Sequence, residues 1–463
     1  MNRRRWKGEG VLLLEIPLNY SEGVLYRQLA EHLEKMIRTG SISSGERLPG
    51  TRELARMLRV SRCTVVAAYD VLEENGLVKR TARSGTFAAS PLLEGRSSYK
   101  GKGDILRFDT ECPTRDLLPL RELSELCRGL SLSLLGDALE GSPTEGLPSL
   151  RRLLLHHAVL RGIPAHPEEV VVTAGGKDAL STALRSFREH GCSKLWAEEL
   201  SYSEISSIAE NERIPLRTLP LLDESTLSCL DALSSKDVLY LVPSFQNPTG
   251  RTLSHPLRQA ILSVRRKKGF FILEDDSYGE LRYGEKSIPA LKAMGEGEGV
   301  VYVGSFSQAL FPGMRLGYTL LPPFLKEEYL RISSLRQGYV SSLVQLVVAR
   351  FLEDGELAAA VERARTILSV RMETLYSLLK SHFSTVPLRK PEGGVFLWFP
   401  TGKTDGSEAA LLAERHGVRV APGSRFSLRK RKIAAVRFSI TGVPDELLNE
   451  AVARLKKAWG KIL

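Results

Sequence analysis

Short apolar segments alternate with helical patterns over most of this chain, and this alternation constrains the fold more than any other feature. The segments predicted as strands are 169–173, 194–198, 238–243, 270–274, 300–304 and 317–321. Strands that alternate with helices are typical of a mostly parallel α/β sheet. In such sheets ligands bind beyond the carboxyl ends of the strands, so the residues that follow each strand are candidates for a site.

Glycines and polar residues do follow these predicted strands. Gly175 and Gly176 separate the first strand from a helix, which lets backbone N–H groups approach a phosphate at the helix N-terminus, and Lys177 adds positive charge there. The polar residues after the later strands are Asn247, Asp275, Tyr278, Ser305 and Arg315. Each taken singly fits a loop with a buried polar contact. Together, in chain order and at successive strand ends, they indicate a site for an anionic ligand.

The pattern in the first 90 residues predicts a domain of a different kind from the α/β part. Residues 24–39 and 51–58 have helical apolar spacing, and Ser61 can cap a third helix that starts at Arg62. Two short strands around the sequence TARSG follow. This is the order of a winged helix-turn-helix. The same segment holds 15 Lys and Arg against 10 Asp and Glu, a basic excess that indicates a polyanion partner.

Double-stranded DNA is therefore the expected partner of this segment. In helix-turn-helix proteins the start of the last helix meets base edges and phosphates. The predicted DNA contacts, in the second helix, the third helix and the wing, are Arg52, Ser61, Arg62, Thr64, Arg80, Arg83, Gly85 and Thr86. The alternative is a small helical cap with a solvated basic face.

The predicted helices and wing contain the sequence GERLPGTRELARMLRVSRCTVVAAYDVLEENGLV, followed by SGTF in the wing. With this sequence, residues 20–90 resemble the GntR-type DNA-binding domain. Residues 91–104 are polar, contain Gly and Ser, and are predicted to be a linker. The expected organisation is thus a DNA-binding domain over 1–90, a linker over 91–104 and an effector domain over 105–463, with a small subdomain over about 350–463.

From about residue 106 to its end the chain contains the motifs SPTEGLPSLRR, TAGGKDAL, PSFQNPTG, EDDSYGELRY, the frame SFSxxLFPGMRLGY, PEGGVFLW and VRFSIT. In these motifs it resembles the fold-type I aminotransferases that use pyridoxal 5′-phosphate (PLP). Joined to a GntR-type head, this resembles the MocR/GabR family of transcriptional regulators. The expected fold class is a winged helix-turn-helix plus an α/β PLP-dependent transferase-like domain with a smaller C-terminal α+β subdomain.

The resemblance implies roles for residues around the PLP ring. Asp275 would pair with the pyridine nitrogen and keep it protonated. Asn247 and Tyr278 would hydrogen-bond the phenolic oxygen of the ring, and Tyr202 would stack on the ring face.

It also implies how the charged ends of a ligand are held. Ser305, Arg315 and the backbone of Gly175, Gly176 and Lys177 would bind the phosphate. Arg437 would bind a substrate carboxylate in a two-pronged ion pair, which suits the guanidinium geometry. The alternative for Arg437 is a surface arginine on an edge strand.

Several residues depart from the aminotransferase pattern. Gln308 stands where the family has the lysine that binds PLP covalently, and an amide nitrogen is neither a usable nucleophile nor a base because its lone pair is delocalised. Gly141 replaces a phosphate-binding tyrosine, and the segment 175–177 replaces the family's G-S-Q.

Three interpretations stay open. In the first, the domain is a sensor that binds PLP or a PLP–amino acid imine non-covalently. In the second, the pocket binds another anionic ligand or serves only dimerisation. In the third, the chain is a transaminase with a displaced lysine such as Lys177. We expect the first, without ordinary transaminase activity.

The family resemblance also implies a homodimer whose pockets borrow residues from the partner subunit. Five scattered cysteines without metal-type spacing predict a reducing cytoplasm rather than a disulfide framework, and we expect no metal site. No apolar run approaches the ~20 residues of a membrane span.

Overall fold

Two units make up the chain, Met1–Lys102 and Gly103–Leu463. The structure is a computed structural model. It describes residues 6–8, 10–12, 24–38, 41–42, 45–74, 77–81, 85–89, 105–129, 136, 139–284, 288–294, 299–306, 312–460 and 462. Of the predicted segments, the linker over 91–104 lies outside the described residues.

The first unit contains the helices and the hairpin in the predicted order. Its elements are β1 (Trp6–Gly8), β2 (Gly10–Leu12), α1 (Leu25–Arg38), α2 (Thr51–Leu58), α3 (Arg62–Glu74), β3 (Val78–Thr81) and β4 (Gly85–Ala88). The pairs β1–β2 and β3–β4 are antiparallel. Apolar residues at helical spacing form one face on each helix, and these faces meet in a core in which Leu33, Leu54 and Tyr69 are fully buried.

Local interactions fix the turn between α2 and α3. Helix α2 ends at Arg59, whose φ of 55° is left-handed and whose backbone N–H bonds the carbonyl of Ala55. The Ser61 hydroxyl accepts a hydrogen bond from the backbone N–H of Thr64 at 3.0 Å and so caps α3, as the sequence predicts. The Tyr69 hydroxyl donates to a backbone carbonyl ahead of α2 at 2.8 Å. The start of α3 is therefore held in place while its first residues stay exposed.

The second unit is built from alternating strands and helices. Its elements are β5 (Leu106–Arg107), α4 (Leu120–Arg128), α5 (Pro148–Leu160), β6 (Val170–Thr173), α6 (Gly176–Glu189), β7 (Lys194–Glu198), α7 (Glu204–Asn211), β8 (Leu216–Leu219), β9 (Asp237–Leu241), α8 (His255–Lys268), β10 (Phe271–Asp275), α9 (Leu291–Met294), β11 (Val300–Ser305), β12 (Gly317–Leu320), α10 (Pro323–Gln337), α11 (Ser342–Glu353), α12 (Glu356–His382), β13 (Phe396–Pro400), α13 (Gly406–Arg415), β14 (Val418–Arg419), β15 (Ala421–Pro422), β16 (Ala435–Ser439) and α14 (Leu448–Trp459).

Seven strands form the central sheet, in the order β6-β12-β11-β10-β9-β7-β8. Six of them are parallel, and β12 runs antiparallel to both neighbours. The mostly parallel sheet expected from the sequence is confirmed. Sequence reasoning missed the edge strand β8, because its partly exposed residues lack a continuous apolar run.

A smaller antiparallel sheet, in the order β13-β16-β15, forms the C-terminal part of this unit. Strand β5, at the start of the unit, pairs in parallel with β14, with Leu106 opposite Val418. The first residues of the unit therefore lie with its last hundred residues, although they are far apart in the chain.

Arg371 of α12 holds this arrangement together. Its side chain is 1% exposed. The guanidinium donates to Asp116 at 2.7 Å and to Asp445 at 2.6 Å, and also to the Thr114 hydroxyl at 3.0 Å and the Ile440 carbonyl at 3.1 Å. One buried cation thus joins the segment that follows β5 to the end of the smaller sheet.

Replacing Arg371 by leucine is expected to destabilise this unit strongly. Arg371→Leu leaves several polar partners without their donor, which costs about 3 kcal/mol in the free energy of unfolding. Arg363→Leu on the same helix is the matched control, since Arg363 is 38% exposed and makes one ion pair, with Glu122; its cost is expected to stay below about 1 kcal/mol. Urea titration of both variants measures their losses in the free energy of unfolding, and equal losses would contradict the prediction.

Candidate functional site

A cavity of about 400 Å³ lies where the segments that follow the parallel strands converge. Strands β6, β7, β9, β10 and β11 point the same way, so their carboxyl ends meet at one edge of the sheet. The antiparallel strand β12 begins at that edge. Cavities of this size are typical of small-molecule sites.

Nine predicted ligand-binding residues line the cavity: Gly176, Lys177, Tyr202, Asn247, Asp275, Tyr278, Ser305, Arg315 and Arg437. Gly175 directly precedes the first of these. Gln308 lies outside the described residues. The structure thus brings the predicted set together, and the roles assigned to its members stay predictions.

Asp275 is a buried carboxylate whose hydrogen-bond donors are neutral. Its side chain accepts from the Tyr240 hydroxyl at 2.9 Å, from the Ser277 hydroxyl at 2.5 Å and from the Ser277 backbone N–H at 3.2 Å. Burial raises the pKa of Asp275, and these hydrogen bonds offset the rise only in part. A protonated pyridine nitrogen would supply the positive charge that these donors lack, so the residue fits a PLP ring.

The tyrosines of the cavity are neutral hydrogen-bonding groups. Burial raises the pKa of Tyr202 and of Tyr278, so both stay protonated at neutral pH. The Tyr278 hydroxyl donates to the Glu111 carboxylate at 3.1 Å. Asn247 is 2% exposed, and its side-chain oxygen accepts from Arg437 at 2.8 Å.

The part of the cavity at the N-terminus of α6 suits an anion. Gly175 has a φ of 85°, in the left-handed region that glycine adopts readily, and helix α6 starts at the next residue with its first N–H groups available. Arg315 adds an exposed guanidinium. Lys177, in contrast, forms an ion pair with Glu204 at 2.7 Å. The helix N-terminus and Arg315 therefore both contribute positive potential there.

Arg437 is enclosed within the smaller sheet. It lies on β16, the middle strand, and is 2% exposed, so the alternative of a surface arginine on an edge strand is wrong. Its guanidinium carbon lies 4.3 Å from the ring centre of Phe396 and 4.6 Å from that of Phe426. Nη1 donates to Glu111 and Asn247, while the buried Nε has no hydrogen-bond partner among the described residues.

Sequence reasoning did not single out every residue of the cavity. The residues it missed include Arg107, Asp109, Thr110, Glu111, Ser277 and Arg425. Ser277 could have been predicted, because it stands two residues after Asp275 in a strand-end turn. Glu111 gave no signal, since it follows a two-residue strand whose pairing with β14 only the fold reveals.

A buried glutamate supports the turn that presents Asn247. Glu198 ends β7, and its carboxylate accepts from the backbone N–H of Leu222 at 2.8 Å and from the Gln246 side chain at 3.2 Å. Burial raises the pKa of Glu198 to about 7, against the lowering effect of these hydrogen bonds and of Arg251.

Glu198 is expected to make stability depend on pH between about 4 and 7. Its folded pKa, about 7, lies above the ordinary value of about 4.3, so the folded state binds this proton more tightly than the unfolded chain. The contribution is full below about pH 4.3 and is lost, by roughly 3–4 kcal/mol, as pH rises through 7. Urea unfolding at pH 5 and pH 8 measures this loss. The stability lost between these pH values should be smaller in Glu198→Gln than in the wild type. Identical losses in both proteins would show that Glu198 is not their source.

The predicted DNA contacts lie in the first unit. Arg52 is exposed in the first turn of α2, and Arg62 is exposed at the start of α3. Ser61 directly precedes α3, and Thr64 lies in its first turn. Arg80 forms ion pairs with the α3 residues Asp70, at 2.6 Å, and Glu73, at 3.4 Å, which hold the hairpin against that helix.

The rest of the predicted set lies in the wing. Gly85 and Thr86 are on β4, whereas Arg83 falls in the part of the hairpin that the structure does not describe. All these contacts stay predictions.

The fold and the cavity define a class of protein, a helix-turn-helix head followed by an aminotransferase fold. Residues 125–455 match the family aminotransferase class I and II, and residues 25–88 match the bacterial regulatory proteins of the gntR family. The chain belongs to the aminotransferase class I and II family and carries a GntR-type DNA-binding domain at its N-terminal end.

Relatives include regulators and an enzyme. The probable rhizopine catabolism regulatory protein MocR of Rhizobium meliloti is 25% identical over 463 residues, which cover 94% of each chain. The 2-aminoadipate transaminase of Thermus thermophilus is 29% identical, covering 82% of this chain and 96% of its own. The crystal structure of LysN, the α-aminoadipate aminotransferase of Thermus thermophilus complexed with N-(5′-phosphopyridoxyl)-L-leucine, has a TM-score of 0.69 at 28% identity. It covers 77% of this chain and 92% of its own.

Two further observations bear on metal ions and membranes. The described residues contain no group of three or more His, Cys, Asp or Glu side chains that could hold a metal ion, and the five cysteines are free. None of the described helices has both the length and the apolarity needed to cross a bilayer.

Proposed function

We propose that the chain is a DNA-binding transcriptional regulator whose large unit binds PLP, or a PLP–amino acid adduct, without a covalent bond. The observation that carries this proposal is the cavity itself. It gathers a buried acid for the ring nitrogen, donors for the phenolic oxygen and a cationic end for the phosphate. At the position of the covalent lysine, the sequence has Gln308.

The residues that would hold PLP follow from their contacts. Asp275 would bind the ring nitrogen, Asn247 and Tyr278 the phenolic oxygen, and Tyr202 the ring face. The phosphate would lie at the N-terminus of α6, with Arg315 and Ser305. When bound, PLP supplies a ring that withdraws electrons from an attached amino group. That LysN accepts a phosphopyridoxyl amino acid in a similar fold supports this class of ligand.

Binding is favoured over catalysis because no suitable amine lines the cavity among the residues that the structure describes. Among the described residues that line it, Lys177 is the only lysine, and its Nζ is bound to Glu204. That ion pair disfavours the interpretation in which Lys177 replaces the missing lysine, since it engages the amine that would have to attack PLP.

Introducing a lysine at position 308 is expected to restore covalent attachment. Gln308→Lys incubated with PLP and then reduced with borohydride should gain the mass of one phosphopyridoxyl group, found by peptide mapping at position 308. The wild-type chain should gain none at that position, yet its melting temperature should rise with PLP concentration because the ligand binds only the folded state.

Asp275→Ala is the control for the site. It removes the partner of the ring nitrogen and is expected to abolish the PLP-dependent rise in melting temperature. A wild-type chain that carries reducible PLP on one of its own lysines would overturn non-covalent binding, and a melting temperature unaffected by PLP would indicate a different ligand.

A homodimer with two DNA-binding heads is part of the proposal. Large apolar side chains are exposed at Leu139, Leu335, Tyr339 and Leu343. Gly141 lies beside this group, since a Cβ at that position would be 3.2 Å from the Tyr339 hydroxyl. Exposed apolar groups of this kind support burial against a second copy of the chain. Two heads would then read a repeated or palindromic site.

Removing Arg62 is expected to weaken DNA binding. The probe is a fluorescein-labelled fragment from upstream of the chain's own coding sequence, and anisotropy is measured from about 50 to about 200 mM salt. Arg62→Ala should cost about 1–3 kcal/mol because an exposed guanidinium at the start of α3 is lost. The control Arg217→Ala removes an exposed arginine from the edge strand β8 and should bind as the wild type does. Wild-type binding that depends on neither sequence nor salt would remove the regulator role.

A further inference from the structure

The Glu111 carboxylate is hydrogen-bonded to Arg437 and Tyr278, two of the groups that are proposed to bind a ligand. One carboxylate oxygen accepts from Arg437 Nη1 at 2.8 Å, and the other accepts from the Tyr278 hydroxyl at 3.1 Å. The side-chain amide of Asn247 approaches the first oxygen at 3.5 Å. A side chain of this protein therefore sits as a carboxylate on the arginine that the family resemblance assigns to a substrate carboxylate.

The burial of Arg437 explains why a carboxylate belongs there. A guanidinium that is 2% exposed and lies between two aromatic rings has lost its hydration, and without a counter-charge this costs several kcal/mol. Among the described residues, Glu111 is the carboxylate that pairs with it. The pairing uses Nη1, whereas Nε stays without a partner among those residues. A ligand carboxylate that engages two N–H groups would form the stronger, two-pronged contact.

The backbone around Glu111 permits its side chain to leave Arg437 when a ligand carboxylate takes its place. The segment is fixed at both ends, where the Phe108 N–H bonds the Arg419 carbonyl at 2.8 Å and the Thr114 N–H bonds the Thr441 carbonyl at 2.8 Å. Between these points, Glu111 makes no backbone–backbone hydrogen bond with another described residue. Its side chain is 26% exposed, so solvent can take up the displaced carboxylate.

We infer that Glu111 is a built-in competitor for the carboxylate of the ligand and thereby sets the specificity of the cavity. A phosphopyridoxyl ligand that carries a carboxylate has to displace Glu111 from Arg437. A phosphopyridoxyl amine without that carboxylate leaves the Glu111–Arg437 pair intact. The inference rests on the proposed function, since it concerns the same cavity.

The test compares two ligands that differ only in the carboxylate. Isothermal titration of the full-length chain uses N-(5′-phosphopyridoxyl)-L-leucine and N-(5′-phosphopyridoxyl)-3-methylbutylamine. In Glu111→Gln, affinity for the leucine adduct should rise about tenfold or more, because the competing charge is gone, while affinity for the amine adduct should stay within about twofold.

Glu204→Gln is the matched control. It removes the same charge from the cavity wall without touching Arg437, so its effect on the leucine adduct should fall well short of that of Glu111→Gln. Arg437→Gln is the second variant. In the Arg437→Gln background, Glu111→Gln should no longer raise the affinity for the leucine adduct. Binding of the amine adduct to Arg437→Gln shows that this variant is folded.

The outcomes separate the inference from the proposed function. If Glu111→Gln leaves binding of the leucine adduct unchanged or weaker while the amine adduct still binds, Glu111 is not a competitor, although the cavity remains a phosphopyridoxyl site. Equal gains for both adducts, or a gain that persists in the Arg437→Gln background, also overturn the competitor role. If neither adduct binds any variant, the proposed function fails and the competitor role with it.

Discussion

The common direction of five strands is the constraint on which the site depends. Strands β6, β7, β9, β10 and β11 all end at one edge of the central sheet, so polar residues at or after the ends of different strands, among them Asn247, Asp275 and Ser305, meet in the same cavity. The antiparallel strand β12 completes the arrangement because its first residues, not its last, lie at that edge. Residues that are far apart in the sequence are thereby gathered around a volume of about 400 Å³.

Burial of charge then decides how these residues behave. Asp275 has neutral donors and a raised pKa, so it is poised for a cationic partner, whereas the buried Arg437 has its partner in Glu111. Among the described residues, Asp275 therefore has no positively charged partner, whereas Arg437 has its negatively charged partner in place. A ligand with a protonated ring nitrogen compensates Asp275, and a ligand carboxylate has to replace Glu111.

The function that we propose for this cavity separates recognition from reaction. Geometry that orients a ring, a phosphate and a carboxylate is useful to an enzyme and to a sensor alike, but covalent chemistry on PLP needs a free amine. The sequence has an amide at position 308, and the lysine on the cavity wall, Lys177, is held by Glu204. Coupled to a GntR-type head, the non-covalent binding that we propose suits a regulator that responds to the ligand's concentration.

The sequence by itself determined the architecture and most of the site. Apolar spacing placed the helices and strands, because burial of an apolar face requires it, and polar residues after the strands marked Asn247, Asp275 and Ser305 as a set. The sequence could not place β5 beside β14, and so could not bring Glu111 to Arg437, because a pairing between residues more than about 300 positions apart leaves no periodic signal in either segment. Only the tertiary structure decided that the guanidinium is buried between aromatic rings, and that burial is the physical reason it needs an internal carboxylate.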